Sequence, residues 1–255
     1  MSAERTEQVQ NPEMKPVRQI KIGDHVIGGF TQGLLLLWTL MVVFPFLWMI
    51  MTAFKSDPEI IFGPWKFPDT LQWDNFSRAW TKAHIGRYFL NTLIVLSGSL
   101  TGTLLFSSMA AYVLTRFEFF GRRALLYLFM AGMMFPVFLA LVPLSFLVND
   151  LHMKGTYQGL ILVYIAYSLP FTIFFMTGFF KTLPSEVAEA ATIDGAGQYQ
   201  IFFQIMLPMA KSGIIAMGIF NFLGQWNQFL LPLVLMTDEK KQVLSQGLQA
   251  MAIQQ

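Results

Sequence analysis

The 255-residue chain has no cysteine, three histidines and 13% charged residues, about half the share of an ordinary soluble domain. Each shortage removes a class of protein. Without cysteine there is neither a disulfide scaffold nor a thiolate metal site, and redox chemistry says nothing about compartment. His25, His84 and His152 are scattered with no ligand spacing, so the sequence supports no metal site and no catalytic residue. No Gly-x-x-x-x-Gly-Lys-[Ser/Thr] phosphate loop occurs, so ATP hydrolysis is not expected of this chain itself. A net charge of +2 is too small to suggest a nucleic-acid binder. What is abundant is hydrocarbon: 55% of residues are hydrophobic and the mean hydropathy is positive, the composition of an integral membrane protein with the bilayer as solvent.

Residues 1–26 are polar and read as an N-terminal tail, too long and too acidic (Glu4, Glu7, Glu13, Asp24) for the n-region of a cleaved signal. Beyond it, five apolar segments, 26–54, 88–114, 124–148, 157–180 and 212–236, are long enough to cross the bilayer as helices. Such a crossing needs about 20 residues. Arg116, Arg122 and Arg123 crowd the second connection, whereas the third has only Lys154. By the positive-inside rule the N-terminus and the second connection are cytoplasmic, and so is the fourth connection. The first connection, external on this count, carries Trp65, Phe67, Trp73, Phe76 and Trp80 and is expected at the membrane interface or against a delivery protein.

No Asp, Glu, Lys, Arg or His lies inside any of the five segments, where ions and protons are usually handled, so a proton- or sodium-driven carrier is disfavoured. Neutral polar groups stand there instead: Asn91, Asn221, Gln225, Asn227 and Gln228, with Tyr164 and Tyr167. Amides both donate and accept, which suits a path for a neutral, hydroxyl-rich solute; interhelical hydrogen bonding is the other reading of the same residues. Gly98 and Gly102 are spaced for close helix packing. Pro45, Pro136, Pro143, Pro170 and Pro232 interrupt four segments, and each should turn its freed carbonyl toward protein or a water-filled path.

One stretch breaks the hydrocarbon pattern. Residues 183–208 are polar, acidic and glycine-bearing between two apolar runs, which marks a place where something docks. Pro184 suits the first turn of a short helix, and Glu186 and Glu189 suit its positive end. Ala188, Ala190 and Ala191 leave a slim surface, and Gly195, beside Asp194 and before Ala196, can end the helix with positive φ.

The elements Glu189-Ala190-Ala191, Asp194-Gly195-Ala196 and Ile205-Met206-Leu207-Pro208 resemble the cytoplasmic coupling loop of ABC importer permeases, most closely the carbohydrate, maltose-type branch. The likeness runs from about 54 to 249 and takes in Ala110-Ala111-Tyr112 through Arg123, Met134-Phe135-Pro136, and Gly224-Gln225-Trp226-Asn227-Gln228-Phe229-Leu230. It implies an all-α polytopic bundle of the type I importer permease kind. It further implies docking in a cleft of a separate ATPase subunit through Glu186, Glu189, Ala190, Ala191, Asp194, Gly195 and Ala196, with Glu189 and Gly195 the most exacting. The resemblance places ATP and Mg in that ATPase dimer, with no cofactor on this chain. The other implied partners are a second homologous permease and an extracytoplasmic sugar-binding protein, in a bacterial or archaeal plasma membrane. Three departures stand out. Gln228 occupies a position where an acidic residue is frequent; Ser212 stands where a further proline is common, leaving the entry angle of the fifth segment open; and the family's sixth span has no counterpart among the five, so a C-terminal helix is expected beyond the residues given.

The leading expectation is therefore the membrane subunit of an ATP-driven sugar importer. The alternative is an ion-coupled carrier or passive pore for small neutral solutes, which would work without an ATPase.

Overall fold

A computed structural model describes residues 22–253; the first 21 residues of the expected tail lie outside that range. The described residues form helices and turns only. They fall into two compact units, 1–75 and 76–255.

The first unit is built on α1 (Ile22–Ala53), whose apolar stretch Gly28–Ala53 has no fully buried residue within the chain. Its end is closed by the segment that follows. Asn75 donates its amide to the carbonyls of Ala53 and Lys55 at 3.0 and 2.9 Å, two of the acceptors a helix end leaves open. Lys55 is only 1% exposed and donates to the carbonyls of Gly63 and Pro64, both at 3.0 Å. Trp48 also donates to Pro64, and Trp65 stacks on Phe44, so the chain folds back along the helix it has just left. Between them α2 (Asp57–Phe62) is capped reciprocally: Glu59 accepts from the Ser56 amide and hydroxyl, both at 2.8 Å.

The second unit follows α3 (Asp74–Thr81) and is built on α4 (Ile85–Arg116) and α7 (Tyr157–Thr182). A Cβ on Gly98 would come within 2.8 Å of Ile161, and one on Gly102 would collide with Ile165, so both glycines admit the α7 side chains against the α4 backbone. Contacts between 91 and 157, 98 and 161, 102 and 165, and 116 and 180 advance together along both helices. The two therefore run parallel and finish at the same end. A helix connecting parallel neighbours must return, and α5 (Arg122–Met133) with α6 (Val137–Asp150) does so.

The third expected span is where the fold departs most from the sequence reading. It is not one helix over 124–148 but two, bent by 101° across Met134-Phe135-Pro136. Proline lacks an N–H and drives the preceding residue out of the α region, so the helix stops at Met133 and restarts after Pro136, which is extended (φ −65, ψ 120). The fifth expected span, 212–236, is likewise divided. α11 (Lys211–Trp226) ends before Asn227, and α12 (Leu230–Leu235) carries Pro232. By length and composition three helices can cross a bilayer, or up to five if each bent pair is one span. Pro232 is buried as expected, whereas Pro45 and Pro143 are exposed on this chain.

After α7 come α8 (Glu186–Ile193), α9 (Gln198–Gln200), a π-helical stretch (Ile201–Met206) and α10 (Leu207–Met209), which meets α11 at a 73° bend. Ala210 supplies that bend (φ −81, ψ 6), so the entry angle that the absent proline left open is set one residue before Lys211. The polar segment beyond Met236 does not cross. Its last helix, α13 (Leu244–Ile253), lies on the first turns of α4, with Gly247 against the Tyr88 ring and the Leu244 amide donating to Thr92 at 2.8 Å.

Candidate functional site

At the end of the second unit where α4 and α7 finish, α8 forms a short platform. Helix α8 begins at Glu186, so Pro184 stands ahead of the cap residue Ser185, not in the first turn as expected from sequence. The other end closes as the spacing foretells. Gly195 has φ +83, its amide donates to Thr192 at 3.1 Å, and the Ala196 amide reaches back to Ala191 at 2.9 Å. This pair of bonds is the Schellman motif, and it needs a residue free to adopt positive φ. A Cβ on Gly195 would meet nothing within 4 Å, so backbone conformation alone makes the demand.

The platform has two faces. Ala191 is buried and Ala188 packs inward, onto Ala111, Tyr112, Met176, Phe180, Ile201 and Phe202. Tyr112 is central there, with ring centroids 5.2 Å from Phe202 and 6.0 Å from Phe180. The π-helical stretch lets Ile201, Phe202 and Met206 all face this cluster. On the outer face Glu186, Glu189, Ala190, Asp194 and Gly195 are exposed, Ala196 is half-buried, and Ile193 is 86% exposed. Two carboxylates near the helix start complement its dipole. Ile193 thus stands in the open beside these carboxylates. Sequence reading did not single out Ile193, Tyr112 or the π-helix. Tyr112 lay within a quoted motif with no role attached, and a π-helix has no simple residue pattern.

A second feature lies within the α5, α7 and α11 bundle. A cavity of about 620 Å³ is lined by Tyr164, Tyr167, Ser168, Asn221, Gln225 and Gln228, with Phe135, Pro170, Phe171 and Phe220 among its apolar wall. Five of the seven polar residues expected to form a path are thus brought together. Pro170 is on the same wall, as expected of a proline facing a path. No carboxylate, ammonium, guanidinium or imidazole is among the lining residues.

Two of the lining amides also join helices. The Gln225 amide donates to Ser168 at 3.1 Å and its carbonyl accepts from Ser99, while Asn221 donates to Thr172 at 3.1 Å and to the Met217 carbonyl at 2.9 Å. At Ser168, Asn221 and Gln225 the cavity wall and the interhelical seam are therefore the same side chains. Ser168 and Thr172 are the parts that sequence reading missed, because single hydroxyls are common in membrane helices. Asn91 and Asn227 stand apart. Asn91 donates to the carbonyls of Lys240 and Gln242 and accepts from Tyr157 at 2.7 Å, so it fastens the segment before α13 to α4. Asn227 is exposed and donates back to Leu223.

Residues 103–254 match the family described as the binding-protein-dependent transport system inner membrane component. This chain belongs to that family. The permease is 50% identical over 241 residues to the diacetylchitobiose uptake system permease protein NgcG of Streptomyces coelicolor, covering 94% of this chain and 80% of the relative. It is 36% identical to the probable ABC transporter permease protein YurM of Bacillus subtilis, over 92% of this chain and 76% of the relative. It is 31% identical to the trehalose/maltose transport system permease protein MalG of Thermococcus litoralis, over 84% and 77%. Among solved structures, a chain of a bacterial ABC transporter involved in the import of the polysaccharide alginate superposes with a TM-score of 0.82 at 20% identity, covering 93% of the permease and 83% of that chain. That likeness speaks to fold, and the fold it supports is the expected all-α polytopic importer permease.

Proposed function

We propose that the permease is a translocation subunit of an ATP-driven importer that moves a sugar, mono- or oligosaccharide, into the cytoplasm. The observation that carries the reading is the α8 platform, a glycine-closed helix with carboxylates and Ile193 outward and alanines seated on a buried cluster. A separate ATPase subunit takes that knob in a cleft, with Glu189 and Gly195 at the tightest contacts, and holds ATP and Mg itself. A second permease completes the path, and an extracytoplasmic binding protein delivers solute. The N-terminus and α8 face the cytoplasm under this reading, since the three arginines of the α4–α5 connection lie at the end where α7 hands over to α8.

Sugar as cargo is supported by the names of the relatives and by the cavity chemistry. Uncharged amides, hydroxyls and aromatic faces suit a neutral polyol, and no charged side chain is among the lining residues. ATP-driven rearrangement shifts the balance between inward- and outward-open states because the ATPase dimer binds one of them better.

Purification of the assembled transporter from its native membrane tests this. An ATPase subunit is expected to travel with the permease, and Glu189→Lys is expected to abolish both that association and uptake of a diacetylchitobiose-sized sugar. Gradient-driven uptake by this chain reconstituted alone would replace the reading with an ion-coupled carrier or pore.

A further inference from the structure

The platform joins the bundle through a three-residue joint, Leu183 to Ser185, between the end of α7 and the start of α8. A push on α8 reaches the bundle through its packed alanine face and through this joint, and the second route works only if the joint does not fold. Pro184 restricts one torsion, but the torsions of Leu183 and Ser185 remain free to absorb a rotation. One side chain from another helix acts on the joint directly. Arg116, in the last turn of α4, places Nη2 2.7 Å from the Leu183 carbonyl and 3.2 Å from the Phe180 carbonyl. The first acceptor belongs to the joint and the second to the final turn of α7.

We propose that Arg116 is a positioning residue for energy coupling, a strut that holds the α7–α8 joint rigid so that force entering α8 reaches α4 and α7 together. The proposal rests on the ATPase-docking reading above. Its chemistry is ordinary: a guanidinium neutralises helix-end carbonyls, and a charged donor makes a stronger bond than a neutral one. Its placement is not ordinary. A cation that merely capped α7 would come from α7 itself, where Lys181 is available; Arg116 comes from the parallel neighbour and ties three elements at one point. Its Nε is buried with no partner among the described residues, so the side chain is held by the carbonyls at its tip and by the packing of its stem. Tyr112, one turn earlier on α4, packs on Phe180 from the same side and keeps the two helix ends in register.

The test measures sugar uptake per ATP hydrolysed in proteoliposomes of the assembled transporter with its binding protein. Arg116→Met should leave ATP hydrolysis within about twofold of the native complex while uptake per ATP falls about tenfold, the factor that loss of one charge-assisted bond makes in an equilibrium. Arg116→Lys retains a cationic donor and should recover most of the ratio. If Arg116→Met does not assemble, Arg116→Gln is read by the same ratio. Unchanged uptake per ATP in an assembled Met or Gln variant, or a Lys variant no better than Met, overturns the strut. Failure of the docking reading shows separately, as an ATPase that does not copurify with the native permease.

Discussion

The α8 platform and the α5–α7–α11 cavity are both polar interruptions in an apolar molecule, yet they are built in opposite ways. The platform is contiguous: residues 186–196 make the helix, its closing turn and its exposed face. The cavity is assembled from helices far apart in the chain, with Gly132 on α5, Tyr164 and Ser168 on α7, and Asn221 and Gln225 on α11, and Ser99 ties its wall to α4 from behind. One is held by backbone geometry and one by side-chain hydrogen bonds. A local site can therefore fail without disturbing the bundle, whereas damage to the cavity seam is damage to the bundle.

That contrast can be broken by mutation. The largest effect is expected at Gly195→Val. The site is open, so the whole penalty is conformational, about 1–2 kcal/mol for a left-handed residue with a Cβ, and more for a β-branched one. Uptake should fall to background while the melting temperature of the purified permease falls by only about 2–8 °C. If the melting temperature drops as far as activity, the platform is not the independent device described here. Next is Gln225→Leu, which takes the Gln225 donor from the buried Ser168 hydroxyl and leaves the Ser99 hydroxyl only the Leu96 carbonyl, a loss of about 1–3 kcal/mol. Here stability and uptake should fall together, read by thermal unfolding in detergent beside transport. Tyr167→Phe is smaller. Tyr167 is 54% exposed and lines the cavity, so losing one solute hydrogen bond of about 1 kcal/mol should raise the apparent KM for sugar about fivefold with no change in unfolding. A shift in melting temperature with no change in KM would make Tyr167 packing, not path.

The smallest expected effect lies in the first unit. The Ser56 amide and hydroxyl and the Asp69 amide, all donating to Glu59, hold its carboxyl below the ordinary glutamate value of 4.5. A lowered folded-state pKa contributes stability that is full above 4.5 and is lost as pH falls through the folded value. Amide exchange within α2 should therefore quicken at the acid end of the range, and Glu59→Gln should remove that dependence.

Much of this permease is legible in the residues. Sparse charge with long apolar runs forecast a helical membrane protein, and the glycine pair on α4 forecast a close helix contact. Gly195 was assigned positive φ because few residues tolerate it, and the platform closes as the spacing implied. These are short-range demands, imposed by a residue on its own backbone or on one neighbouring helix. The 101° break at Pro136 was half legible: proline marks the defect, but the angle depends on what the two pieces pack against. The strut from Arg116 was not legible, because its purpose exists only once α4 and α7 lie parallel and end together.

By itself the sequence determined that the chain dwells in lipid, where a helix can satisfy its own backbone, and that a small acidic knob with a glycine-closed turn interrupts the hydrocarbon. Only the tertiary structure decided which polar side chains face one another. Asn91 became a fastener and Gln225 a cavity wall although both are amides in apolar helices, because hydrogen-bond partners are chosen by helix direction and rotation, which no local pattern records.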